Sequence, residues 1–107
     1  MRQISPRQLE QLLAEQQPVY LVDVRQPWEH ERARLADQVL IPLDELMERT
    51  AEVTPPESAL VVVYCHHGVR SLSAAAILEH AGFANVASLT GGIDRWSLEI
   101  DPKIPRY

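Results

Sequence analysis

Cys65 is the only cysteine in the chain, and its neighbours are residues that make a thiol react. The apolar run Leu60-Val61-Val62-Val63-Tyr64 stops at it, and the helix-forming run Ser71-Leu72-Ser73-Ala74-Ala75-Ala76-Ile77-Leu78 follows shortly after. Cys65-His66-His67-Gly68-Val69-Arg70 make the turn between them. The first amides of a helix have no internal partners and point at whatever lies in front of them, so a buried strand that delivers a thiol to that place favours the thiolate. Arg70 adds a permanent positive charge, and Gly68 permits a backbone conformation that a side chain would obstruct. The pattern reads as an anion-binding cradle with a nucleophile at its base. The competing reading is a small cysteine packed in the core, for which two histidines, a glycine and an arginine are poor company. A metal site built from Cys65, His66, His67, His30 and His80 lacks any Cys-x-x-Cys or His-x-x-x-His spacing, and consecutive residues are expected to point apart, so no metal is expected.

The elements that must position this loop can be read on either side of it. Ser5 followed by Pro6 looks like an N-cap and first helical residue, and Leu9, Leu12 and Leu13 continue at helical spacing, which predicts a helix over residues 6–16. Residues 19–24 form a short apolar run broken only by Asp23, as expected of a buried strand with a polar group at its end. A short helix over 27–33, a brief strand over 39–41 halted by Pro42, and a helix over 43–49 with Leu43, Leu46 and Met47 facing inward come next. Residues 59–64 are the most apolar segment and predict the central strand; a helix over 71–81 stopped by Gly82 and a strand over 86–88 complete the pattern. Strands alternating with helices imply a parallel sheet covered on both faces, with ligands bound beyond the carboxyl ends of the strands, where Asp23 and Cys65 emerge. Gly91-Gly92 is a turn into a last helical segment with Trp96 as a packing anchor, and two adjacent glycines there allow close backbone approach to the site. The tail 101–107 is too rich in proline for a helix and is expected to pack as an extended arm or stay mobile.

At 107 residues the chain is expected to be one domain, residues 1–107, with a single core and no disulfide framework. The opening Met1-Arg2-Gln3-Ile4-Ser5-Pro6 has no signal-peptide pattern and no run has membrane-spanning length, so an exposed thiol in a reducing cytoplasm is the expectation, with no membrane partner. A net charge of −5 argues against nucleic acid as a partner, while the field near Arg70 still suits a small anion.

Four motifs in order resemble a rhodanese domain: Asp23-Val24-Arg25 with Glu29 four positions on, Ile41-Pro42-Leu43 before a helix, the loop from Cys65 to Arg70, and Gly91-Gly92-Ile93-Asp94-Arg95-Trp96. The resemblance spans almost the whole chain. It implies a rhodanese-like three-layer α/β/α fold with a central parallel five-stranded sheet, and a sulfurtransferase that carries sulfane sulfur as a persulfide on Cys65. The amides from His66 to Arg70, through Gly68 and Val69, would stabilise the terminal sulfur anion. Ser71 either donates a hydrogen bond near the thiolate or caps the helix. Asp23 is expected to orient the loop, and Arg25 with Glu29 to form a structural ion pair. No metal or organic cofactor is implied. The implied partners are a small sulfur-donor anion such as thiosulfate or a persulfide donor protein, with a cysteine desulfurase or a sulfur-carrier protein as candidates. Where family members commonly carry Gly-His-Ile and Gly-Ala, this chain has Ala33-Arg34-Leu35 and Ala36-Asp37. His66 and His67 stand where thiosulfate-specialised relatives often carry fixed positive charge, which favours persulfide chemistry over efficient thiosulfate turnover. Two other readings remain: a non-catalytic binding module of the same fold, and a cysteine phosphatase or arsenate reductase. Cysteine phosphatases place five residues between cysteine and arginine, whereas this loop has four.

Overall fold

The computed structural model describes residues 2–107. Its centre is β4 (Leu60–Tyr64), whose five residues are all buried, flanked by β2 (Val19–Asp23) on one side and β5 (Val86–Leu89) on the other. The edges are β1 (Arg2–Ile4) beside β5 and β3 (Gln38–Leu40) beside β2, giving the order β1-β5-β4-β2-β3 with every pairing parallel. The expected five-stranded parallel sheet is therefore present. Its first edge strand, β1, lies ahead of the first expected helix in a stretch that three residues are too few to mark by alternation.

The period of two along β4 divides the core. Leu60, Val62 and Tyr64 pack with Leu9, Leu89, Ile93 and Trp96 on one face, while Val61, Val63 and Cys65 pack with Leu46, Ala74, Ala75 and Leu78 on the other. Accordingly α1 (Pro6–Ala14) and α5 (Gly92–Glu99) cover the first face, and α3 (Leu43–Leu46) and α4 (Arg70–His80) the second. The helix α2 (Pro27–Arg32) follows β2 directly. No helix among the described residues is long and apolar enough to cross a membrane.

Several boundaries differ from expectation for local reasons. The helix α1 has the expected Ser5 cap, which closes a reciprocal pair with Gln8, but ends at Ala14 because Gln16 takes a left-handed φ of 56°. The helix α3 is a single turn, and Met47 points outward at 73% exposure, so only part of the expected inner face is real. In the stretch from Ala33 to Asp37, Asp37 adopts φ 55°, a conformation that aspartate tolerates better than most residues.

Candidate active site

The register of the sheet sets Asp23 opposite Tyr64, so the carboxyl ends of β2 and β4 bring the two sequence motifs side by side. One residue beyond Tyr64, Cys65 lies on the floor of its loop, 1% exposed, which corrects the expectation of an exposed thiol: reagents must enter through the loop's mouth. The Gly68 amide donates to Sγ at 3.1 Å and the Ser71 amide at 3.4 Å. The Ser71 hydroxyl lies 3.6 Å from Sγ and 2.7 Å from the buried Ser88 hydroxyl on β5. A neutral thiol donates to Ser71, which passes its own proton toward Ser88; a thiolate reverses the chain, so either charge state has a partner. Of the amides expected to face the sulfur, Gly68 is placed to do so, and the second is that of Ser71, inside the first turn of α4. Ser71 is not the helix cap, since Val69 holds that position with no side-chain cap bond.

Two glycines let the loop sit against the start of α5. Gly68 has φ 95°, and a Cβ there would meet the Gly91 nitrogen at 2.8 Å. Gly92 has φ 61°, and its Cβ would stand 2.4 Å from the carbonyl oxygens of both Cys65 and His66. That close approach allows the Ile93 amide to donate to the Cys65 carbonyl at 2.9 Å and the Asp94 amide to the His66 carbonyl at 3.1 Å. The free amides of one helix terminus thereby hold the backbone of the loop while those of another face its sulfur.

The charged residues pair differently from the expectation. Arg25 is fully buried and bonds the Asp23 carboxylate through Nε at 2.8 Å and Nη2 at 2.7 Å, while its Nη1 donates to the backbone carbonyl of Glu29. Asp23 also accepts from the Arg25 amide and the Tyr64 hydroxyl, so it holds Arg25 and makes no bond to the cysteine loop. The Glu29 carboxylate turns to Arg70 instead, taking both guanidinium ends at 2.6 and 2.8 Å. This corrects the expected Arg25–Glu29 ion pair. Burial alone would push Glu29 up, but its bonds from Arg70, the Gln26 amide and the Tyr107 hydroxyl outweigh that and hold it at about 2. Arg70 is raised by the Glu29 hydrogen bonds against some burial, with Cys65 adding to the same direction.

Tyr107, at the end of the tail expected to be an extended arm or mobile, packs that tail against this network. Its hydroxyl accepts from Arg25 and donates to Glu29, both at 2.8 Å, and burial, with Glu29 adding to it, pushes it up to about 12. Its ring stacks on His66 at 3.9 Å, and Trp28 meets it edge-on at 5.9 Å. His66 in turn stacks on His67 at 3.9 Å and 18°, so the adjacent histidines share one side of the loop rather than pointing apart. Burial first, then His67, lowers His66 below the usual imidazole range. Ring atoms of both histidines and a carboxylate oxygen of Asp94 fall within 4.8 Å of one another. In-plane lone pairs of nearly parallel rings run side by side instead of converging, and Asp94 is already paired with Arg106 at 2.8 Å, which ill suits them to share an ion. The sequence motifs thus account for Cys65, Gly68, Arg70, Ser71, the Gly91-Gly92 turn and the segment that carries Asp94, while Ser88 and Tyr107 join the site through the fold alone.

The fold and its cysteine loop can be set beside known proteins. The rhodanese-like domain model matches residues 5–99. The chain belongs to the rhodanese-like family. It is 35% identical over 97 residues to a protein of Allochromatium vinosum named sulfurtransferase, covering 91% of this chain and 89% of that one. It is 33% identical over 104 residues to the probable adenylyltransferase/sulfurtransferase MoeZ of Mycobacterium tuberculosis, covering 97% of this chain and only 26% of that one. Among solved structures, a rhodanese-like domain protein from Staphylococcus aureus superposes with a TM-score of 0.83 at 26% identity, over 100% of this chain and 99% of that one.

Proposed function

We propose that this protein is a sulfurtransferase that carries sulfane sulfur as a persulfide on Cys65. The observation that carries the reading is the convergence of the Gly68 and Ser71 amides and the Ser71 hydroxyl on a sulfur closed off from bulk solvent. The Cys65 thiolate attacks the outer sulfur of the donor; the donor's S–S bond breaks, and its electron pair leaves with the rest of the donor. The transferred sulfur, now bonded to Sγ, carries negative charge within reach of the loop's donors, which are fixed before the reaction and cost no reorganisation. An acceptor nucleophile then attacks that terminal sulfur and Sγ departs as the thiolate. Asp23 holds Arg25 behind the site, and Glu29 holds Arg70 at the end of the loop.

The name of the Allochromatium relative supports sulfur transfer, and the fusion named in MoeZ supports a sulfur relay with protein partners such as a desulfurase or a sulfur carrier. The test is thiocyanate release from cyanide with thiosulfate or cysteine persulfide as donor. Wild type turns over, Cys65→Ser does not, and aryl phosphates are hydrolysed only at background. Undiminished transfer by Cys65→Ser, or robust phosphatase activity, contradicts the reading.

A further inference from the structure

Glu29 is bonded to Arg70, the arginine that ends the cysteine loop. Its oxygens take both ends of Arg70 at 2.6 and 2.8 Å, the Gln26 amide at 3.0 Å and the Tyr107 hydroxyl at 2.8 Å, and its side chain is 4% exposed. Four donors from three different parts of the chain leave it little freedom to swing away. The other arginines bonded around the site are matched in the same way, Arg25 by Asp23 at 2.7 Å and Arg106 by Asp94 at 2.8 Å. His66, wedged between Tyr107 and His67, has its neutral form favoured by burial. Each arginine in this ring therefore meets a carboxylate, and attraction for an entering anion falls mainly to the backbone dipoles of the loop.

We propose that Glu29 is a specificity-determining residue that, by closing Arg70 into an ion pair, favours thiol persulfides over the thiosulfate dianion as sulfur donors. The inference rests on the sulfurtransferase reading above. With thiosulfate, the Cys65 thiolate bonds to the outer sulfur, the S–S bond breaks, and sulfite leaves with the electron pair and two negative charges. With a persulfide R–S–SH, the same bond breaks, R–S− leaves with one charge, and the proton stays on the transferred sulfur. A dianion must lie beside the Glu29 carboxylate or prise Arg70 from it. A singly charged thiolate leaving group meets half that repulsion and needs no triply hydrogen-bonding cation.

The experiment measures initial rates of persulfide formation on Cys65 by intact mass with thiosulfate, with cysteine persulfide, and with a persulfidated cysteine desulfurase. The last two distinguish a small-molecule source from a protein one. Glu29→Gln keeps the shape of the side chain and removes its charge. It is expected to raise kcat/KM for thiosulfate on the order of tenfold, chiefly through KM and less so at high salt, while persulfide donors change by less than about twofold. Tyr107→Phe removes one of the four bonds to Glu29 without touching the α2 cap, and is expected to move the donor ratio in the same direction by about twofold should Glu29→Gln fold poorly. A thiosulfate KM unchanged or raised in both variants, or an equal change for all donors, overturns the assignment. A wild type that gains no sulfur from any donor sinks the sulfurtransferase reading itself, whereas normal loading with an unmoved ratio sinks only the role of Glu29.

Discussion

Substituting Gly92 by alanine tests whether the start of α5 holds the cysteine loop in place. The new Cβ would stand 2.4 Å from the carbonyl oxygens of Cys65 and His66, and the φ of 61° adds a left-handed strain of about 1–2 kcal/mol for any residue with a side chain. Neither oxygen can give way alone, because the Ile93 and Asp94 amides bond to the same two carbonyls at 2.9 and 3.1 Å. Relief of the clash separates loop from helix, at about 1 kcal/mol for each hydrogen bond and roughly 1–3 kcal/mol for overpacking. The sum is roughly 4 kcal/mol or more. Gly82→Ala supplies the control, since Gly82 has φ 106° but nothing among the described residues within 4 Å of its would-be Cβ. It should cost only the strain, about 1–2 kcal/mol, and leave the loop untouched. Urea unfolding followed by tryptophan fluorescence gives the stabilities, and sulfur loading of Cys65 at a temperature where both variants are folded gives the effect on the site. A displacement of the loop by about 1 Å should slow loading on the order of a hundredfold in Gly92→Ala. Equal stability of the two variants, or unimpaired loading by Gly92→Ala, would refute the reasoning.

Arg25→Met leaves Asp23 buried without its guanidinium and should cost about 3–5 kcal/mol in urea unfolding, and adding Asp23→Leu should recover part of that loss. A double variant less stable than the single one would contradict the assignment of Arg25 as the charge partner of buried Asp23. Glu29 is held at about 2 against an ordinary 4.5, so it contributes stability that is present above 4.5 and lost as pH falls toward 2. Over that window wild type should lose roughly 2–3 kcal/mol more than Glu29→Gln, measured by thermal or urea unfolding across the acid range.

The sheet was legible because its inner strands are short, apolar and separated by helical segments, and the all-buried β4 announces itself by composition. The thiol's setting was legible because strand, glycine, arginine and helix follow one another within a dozen residues. What escaped were contacts made by long-range packing. The tail's Tyr107 reaches Arg25 and Glu29 from 82 and 78 positions away, and no local pattern encodes such a contact. The partners of Arg25 and Glu29 were misjudged because helical spacing of four suggests a side-chain pair, whereas Arg25 precedes α2 and turns back to Asp23. The histidines were expected to diverge as they would in a strand. The bends of the loop and the face of Tyr107 stack them instead.

The central claim is that Cys65 holds the sulfur in transit, and intact mass spectrometry reads it directly. After incubation with cysteine persulfide or with a desulfurase and cysteine, the wild type should gain the mass of one sulfur atom, lose it on addition of cyanide with release of thiocyanate, and show neither change as Cys65→Ser. A wild-type mass that never moves, or a Cys65→Ser protein that gains and releases the same sulfur, would contradict the account.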